Sequence, residues 1–226
     1  MYAHNKFILT INVKNFIIIL YNRYRFGGIM SFIETITKRR SCYHLGKLPA
    51  EKQKQISQIL EKCILNAPTP FNSQSARVIL LENDNHKKLW DIVLEALKER
   101  VAESNFGPVQ EKINTFAAAS STILYFEDIL ATENLQNQYP TYASNFPTWA
   151  QQANGMLQFS VWAALAEQNI GANLQHYNPI IDGEVHRTFN IPATWRLIAQ
   201  MPVGEILSAP QDKTYEPLEK RLKVLS

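Results

Sequence analysis

From Ser31 onward the alternation of apolar and polar positions predicts several helices and few strands. Ser31 and Glu34 form the Ser-x-x-Glu pattern of a capping box, in which two side chains satisfy two backbone N–H groups at a helix start. Ile33, Ile36 and Thr37 then give a short helical stripe that ends at Arg39 and Arg40. After Pro49, Ile56, Ile59, Leu60, Cys63 and Ile64 recur at three- and four-residue spacing, as one buried face of a second helix does. Two prolines and a run of Asn, Ser and Gln in "NAPTPFNSQSA" stop that helix and mark an exposed polar loop. "ARVILL" reads as a buried strand. Asp84 reads as the cap of a third helix with Leu89, Trp90, Val93, Leu94, Leu97 and Val101 on its apolar face. "STILYFED", rich in β-branched and aromatic residues, reads as a second strand.

Residues 128–147 read as polar, aromatic and irregular. After Pro147 comes the longest predicted helix, "TWAQQANGMLQFSVWAALAEQN". It is apolar around most of its circumference, so it has to be covered within the fold or by another subunit. "IGANLQHYNP" is a strand or turn, a short helical stretch runs to Asn190, and "TWRLIAQMPVG" is a third strand. The tail, "APQDKTYEPLEKRLKVLS", is basic at its end and has no core of its own. With no internal repeat and no low-complexity linker, the pattern is that of one α+β domain.

The first thirty residues have a different character. Their longest uninterrupted apolar run, Phe16–Tyr21, is far too short to span a bilayer, Lys14 splits the apolar stretch, and no small-residue cleavage site follows it. The capping box begins directly after Met30, and Gly27-Gly28 sits where a purine-rich ribosome-binding sequence would be translated. The expected organisation is therefore a non-native N-terminal extension over residues 1–29, read from an upstream start, and one domain over residues 30–226.

Composition narrows the function classes. The 23 Lys and Arg against 20 Asp and Glu leave a net charge of +3, interleaved along the chain, which argues against a nucleic-acid partner. Two cysteines, Cys42 and Cys63, with no C-x-x-C pair, fit a reducing cytoplasm and offer no zinc site. There is no G-x-S-x-G, H-E-x-x-H, G-x-x-x-x-G-K or G-x-G-x-x-G, and His44, His176 and His186 lack ligand spacing. What remains is a concentration of positive charge and donors at Arg39-Arg40-Ser41 with no recognisable acid, base or nucleophile. That combination points to chemistry carried by a cofactor.

"RRSCYHLG", "NAPTPFNSQSARVILL", "STILYFED", "GANLQHYNP" and "QMPVGEIL" followed by "KTYEPLEKRLKV" occur in this order from about Ser31 to the C terminus. Taken together they resemble the nitroreductase family of FMN enzymes, and more narrowly its fatty-acid-repression-mutant-like branch, in which a Gln-His-Tyr-Asn-Pro segment is a hallmark. The resemblance implies an α+β sandwich with an antiparallel-rich central sheet surrounded by helices, assembled as an intertwined homodimer with FMN in the subunit interface. It implies that Arg39, Arg40 and Ser41 form one side of a phosphate clamp that Arg221 and Lys223 close. Asn72 and Gln74 would offer amides to the flavin ring or ribityl chain, and Gln175, His176 and Asn178 would lie near flavin N5. Ser75-Ala76 stands where many nitroreductases carry Pro-Trp, and other branches carry a Glu-Gly pair in the region of Gln175, His176 and Asn178. The implied reaction passes hydride from NADH or NADPH through flavin N5 to a nitroaromatic, quinone or similar electron-poor acceptor, with no catalytic side chain and no metal. The alternative is an FMN-binding stress or regulatory protein with little turnover. Neither reading involves a membrane.

Overall fold

The structure, a computed structural model, describes residues 31–225, so the expected extension over residues 1–29 lies outside it. Helix α1 (Phe32–Lys38) starts at the capping box: the Ser31 hydroxyl accepts from the Glu34 N–H at 3.2 Å, and the Glu34 carboxylate accepts from the Ser31 N–H at 2.9 Å. The residue that α1 buries is Thr35, whereas Ile33 and Thr37 of the expected stripe are exposed. Strand β1 (Leu45–Gly46) leads through Pro49 into α2 (Ala50–Asn66). That helix buries Ile56 and Leu60, but leaves Ile64 exposed.

Strands β2 (Ala76–Glu82), β3 (Ser121–Asp128) and β5 (Trp195–Ile206) form an antiparallel sheet in the order β1-β5-β3-β2, with β4 (Gly171–Ala172) also pairing to β5. β3 is central and buried from Ser121 to Glu127. Its alternation divides the core: Ile123 and Tyr125 join Ile56, Leu157 and Val161, while Leu124 and Phe126 join Leu89, Trp90 and Phe116. β2 is an edge strand with only Leu81 buried, so "ARVILL" is half-covered and not a buried strand, as follows from having a neighbour on one side only.

Helix α3 (Asn83–Lys98) corrects another expectation. Its N-cap is Glu82 and no side chain caps it; Asp84 lies inside the first turn, where the helix dipole favours a carboxylate. The chain turns from strand to helix within one residue, Asn83 at φ +50°, a left-handed conformation that asparagine tolerates, and this leaves no separate capping residue. Val101 falls beyond the end of α3. Helix α4 (Glu103–Ala117) carries Gly107 and Pro108 in its second turn, which disguise it in the sequence. Residues 128–147 are not irregular: they contain α5 (Ile129–Gln138) and a 3-10 turn, Pro140–Asn145. Helix α5 buries only Thr132, so it has no apolar stripe to read. The long helix α6 (Phe146–Glu167) buries Leu157, Val161 and Leu165 against the sheet and leaves Met156 and Phe159 exposed on its other side. α7 (Asp182–Phe189) and a last 3-10 turn, Leu218–Lys220, complete the described residues. Among them no helix is long and apolar enough to cross a membrane, and no group of three or more His, Cys, Asp or Glu is placed to hold a metal.

A buried polar chain ties α3 to β3. The Trp90 indole N–H donates to Thr122 Oγ1 at 3.0 Å, and that hydroxyl meets His86 Nδ1 at 2.9 Å. His86 Nε2 lies 3.1 Å from the Ala117 carbonyl, which can only accept, so the ring's single proton belongs on Nε2. Every polar atom is thus satisfied with the imidazole neutral, and burial pushes the His86 pKa from 6.5 down to about 4. Above pH 6.5 the ring is neutral in both folded and unfolded chains and contributes no pH dependence. Below it the unfolded chain takes up the proton first, so stability falls as pH drops from 6.5 to about 4, by about 3 kcal/mol in full. Urea midpoints at pH 7.5, 5.5 and 4.5 measure this, and His86→Gln is expected to flatten the part of the slope that lies between pH 6.5 and 4.

Candidate functional site

The chain leaves α1 in an extended conformation at Arg39 (φ −60°, ψ 118°), which lays residues 39–42 alongside the start of β4. Ser41 forms a parallel bridge with Ala172, and the Cys42 N–H donates to the Ala172 carbonyl at 3.0 Å. The Arg39 guanidinium lies 4.4 Å over the Trp162 ring of α6, a cation–π contact that fixes its direction. Burial, and then the neighbouring charge of Arg40, push the Arg39 pKa below its ordinary value. Its buried Nε has no hydrogen-bond partner in the protein. Arg40 donates through Nη2 to the Gln211 carbonyl of the tail. Between residues 39–44 and the tail residues 208–214 lies a cleft of about 550 Å³, with Lys213 and Asp212 on its far wall. A buried donor without an acceptor is costly, so the orphaned Arg39 Nε, together with a second guanidinium and the Ser41 hydroxyl, suits an anionic ligand.

A relay of amides joins this cleft to the segment around Gln175. Asn173 donates through Nδ2 to the Cys42 carbonyl at 2.7 Å and accepts from Gln175 Nε2 at 2.7 Å. Gln175 exchanges backbone hydrogen bonds with Gln200, at 2.7 and 2.9 Å. The Gln200 side chain then accepts from the Tyr177 N–H at 2.8 Å and donates to Asn178 Oδ1 at 3.5 Å. Asn173, Gln175 and Gln200 are all buried, so the network is desolvated and its geometry is specified. Of the three predicted residues here, Gln175 and Asn178 belong to the network, and His176 is exposed beside it.

Asn72 and Gln74 sit on the turn after α2, both exposed and both at positive φ, +53° and +46°. Arg77 holds this turn: Nη1 donates to the Gln74 carbonyl at 2.6 Å, Nη2 pairs with Asp128 at 2.8 Å, and the guanidinium lies 5.8 Å over Trp195. Asp128 reinforces it through its own N–H, which donates to the Ser75 carbonyl at 2.9 Å. Arg221 and Lys223 are exposed, at and beyond the end of the Leu218–Lys220 turn, and the wall opposite Arg39 comes instead from residues 208–214. The structure thus groups Arg39, Arg40 and Ser41 with Gln175 and Asn178, and sets Asn72 with Gln74 on a separate loop.

Sequence reading missed Trp162, Asn173, Gln200 and Arg77. Gln200 carried a signal, because a glutamine inside "LIAQMPV" is out of place in a buried strand unless it has fixed partners. Trp162 and Arg77 carried none, since each acts through a neighbour that is remote in the chain.

The chain is thus an antiparallel α+β sandwich with a cationic cleft at the sheet edge. The nitroreductase family profile matches residues 36–205. Putative nitroreductase HBN1 of Saccharomyces cerevisiae is 32% identical over 191 residues, 84% of this chain and 95% of that protein. Nitroreductase FRM2 of the same yeast is 30% identical over 187 residues, 82% of this chain and 93% of that protein. Nitroreductase CinD from Lactococcus lactis, solved in complex with chloramphenicol, is 38% identical and matches with a TM-score of 0.79 over 87% of this chain and 100% of that one. CinD has also been solved in complex with 4-nitrophenol. A nitroreductase with bound FMN from Desulfitobacterium hafniense, 16% identical with a TM-score of 0.65 over 87% of this chain and 100% of that one, shares the fold. The chain belongs to the nitroreductase family, and its likeness to HBN1 and FRM2 places it in the fatty-acid-repression-mutant-like branch.

Proposed function

We propose that this protein is a cytoplasmic, homodimeric FMN-dependent oxidoreductase that uses NADH or NADPH to reduce nitroaromatic, quinone or similar electron-poor acceptors. The observation that carries the reading is the buried Arg39 Nε, without a protein partner, at the edge of a cleft that also presents Arg40 and Ser41. When bound, FMN supplies the hydride-accepting ring; the chain supplies grip and orientation.

Arg39, oriented by Trp162, and Ser41 would hold the phosphate, and Arg40, which donates to the Gln211 carbonyl, would find there a stronger, charged acceptor. Arg221 and Lys223, exposed on the tail and outside the cleft walled by residues 208–214, would close the clamp on a bound phosphate. Gln175, His176 and Asn178 would present donors to the ring, and the Gln200 relay keeps Gln175 and Asn178 from turning away. Asn72 and Gln74 contribute amides from the turn that Arg77 holds. Exposed apolar residues on α1, α6 and the tail, among them Phe32, Ile33, Met156, Phe159, Leu222 and Val224, support a partner subunit that covers them. The two free cysteines are in keeping with a reducing compartment.

Turnover is the test. The purified protein with added FMN is expected to oxidise NADH or NADPH rapidly when 4-nitrophenol or a simple quinone is present, and slowly without an acceptor. Equal rates with and without acceptor would falsify the reductase reading.

A further inference from the structure

Asn173 is fully buried and does not line the cleft, yet it is bonded to both stretches that the flavin reading uses. Its Nδ2 donates to the Cys42 carbonyl at 2.7 Å, one residue beyond Ser41, and its Oδ1 accepts from Gln175 Nε2 at 2.7 Å. The backbone draws the same stretches together, since Ser41 bridges Ala172 and the Cys42 N–H donates to the Ala172 carbonyl at 3.0 Å. The roles in this chain of amides are not interchangeable. The Cys42 carbonyl can only accept, so the Asn173 amide nitrogen faces it and the Asn173 oxygen is left for Gln175. Gln175 then has to offer its nitrogen. At the far end the Tyr177 N–H can only donate, so Gln200 Oε1 faces it at 2.8 Å and Gln200 Nε2 is turned to Asn178 Oδ1 at 3.5 Å. Asn178 keeps its amide N–H groups for other acceptors. Two main-chain groups without a choice of role thus fix the polarity of four side-chain amides, and the burial of Asn173, Gln175 and Gln200 shields that order from water.

We propose that Asn173 is a positioning residue: it sets the phosphate-holding segment and the ring-facing segment of the site against one another, and it locks the Gln175 amide in one orientation. Through Cys42 it fixes the place of Ser41, and through Gln175 it fixes donors that meet the ring. Donors held in place favour the negative charge that a flavin ring gains on reduction, because they need no reorganisation as the charge develops. Without Asn173 the Gln175 amide is free to turn and offer its oxygen, which disfavours that charge. The ring end of this proposal rests on the flavin reading; the phosphate end needs only an anion at Arg39 and Ser41.

Asn173→Ala removes both contacts, whereas Asn173→Ser keeps a hydroxyl that can donate and accept. Three measurements on the full-length protein separate positioning from plain structural support. The affinity for FMN relative to riboflavin isolates the phosphate, the midpoint potential of bound flavin reports on the ring, and the affinity for inorganic phosphate involves no flavin. Asn173→Ala is expected to lower the FMN-to-riboflavin affinity ratio and the phosphate affinity by about three- to tenfold each. A loss of the same size in the preference for reduced over oxidised flavin makes the midpoint potential about 15 to 30 mV more negative. Asn173→Ser is expected to fall between Asn173→Ala and the native protein on each measure, and it carries the comparison where Asn173→Ala does not fold. FMN and riboflavin weakened equally, at an unchanged potential, would mark Asn173 as structural support and overturn the proposal. Variants indistinguishable from the native protein overturn it too. Protein that takes up no flavin, but whose phosphate affinity falls in the variants, would sink the reductase reading and leave Asn173 as the positioning residue of an anion site. Native protein that binds neither flavin nor phosphate overturns both.

Discussion

Arg39→Ala is expected to weaken FMN binding by about ten- to a hundredfold while leaving the fold nearly as stable as before. A hydrogen bond to a charged group contributes roughly 1.5 to 3 kcal/mol, which sets that range. Arg39 is the residue to change because its Nε already lacks a protein partner, and its cation–π contact with Trp162 at 4.4 Å holds the guanidinium at the cleft before any ligand arrives. Losing that contact costs about 0.5 to 1 kcal/mol of stability, the smaller of the two effects. Arg40 and Ser41 remain, so binding is reduced and not abolished. Saturating FMN is expected to restore NADH oxidation, because the phosphate end of the ligand takes no part in hydride transfer. Arg221→Ala is expected to behave in the same way. Flavin titration of each variant, followed by the rate at saturation, checks both. Normal affinity in Arg39→Ala, or inactivity at saturation, refutes the clamp.

Gly204→Ala is expected to destabilise the protein by about 3 kcal/mol and to loosen the phosphate cleft at the same time. A Cβ at Gly204 would collide with the Gly46 carbonyl oxygen and lie 3.1 Å from Leu45 Cβ. The first obstacle is backbone, so relief requires β1 to move off β5, where Leu45 pairs with Ile206 and Gly46 with Glu205. β1 follows the Arg39–Ser41 segment after Cys42, Tyr43 and His44, and the Leu207 N–H, which donates to the His44 carbonyl at 3.0 Å, starts the tail that forms the opposite wall. Displacing β1 therefore disturbs both walls. Gly183→Ala is the control, since a Cβ there meets nothing within 4 Å, and on helix α7 it should be neutral or slightly stabilising. Thermal melts of the two variants with and without FMN measure the contrast, and equal melting temperatures would show that β1 yields without cost.

What was legible in the sequence was what local chemistry decides. The Ser31–Glu34 capping box, the β-branched run of β3 and the greasy helix α6 each announce themselves within a few residues, and each is where the pattern put it. Elements whose burial depends on remote partners were harder. Helix α5 buries a single threonine, so no stripe marks it, and "ARVILL" looks like a core strand although it lies at the sheet's edge. Helix α1 shows the same limit from the other side, because Ile33 is apolar yet exposed in the single chain. For the proposed site, residue types alone drew attention to Arg39, Arg40 and Ser41, since clustered donors need an acceptor. The residues that aim them, Trp162 over Arg39 and Gln200 behind Gln175 and Asn178, are separated in the chain from what they hold by folding alone.

Whether the protein is a flavin reductase is read most directly from the absorption spectrum of the purified full-length protein, before and after NADH is added without oxygen. The expected protein is yellow, with flavin bands that bleach on reduction and return with 4-nitrophenol or a quinone, and it releases free FMN on denaturation. A colourless protein that takes up no added FMN would contradict the flavin reading.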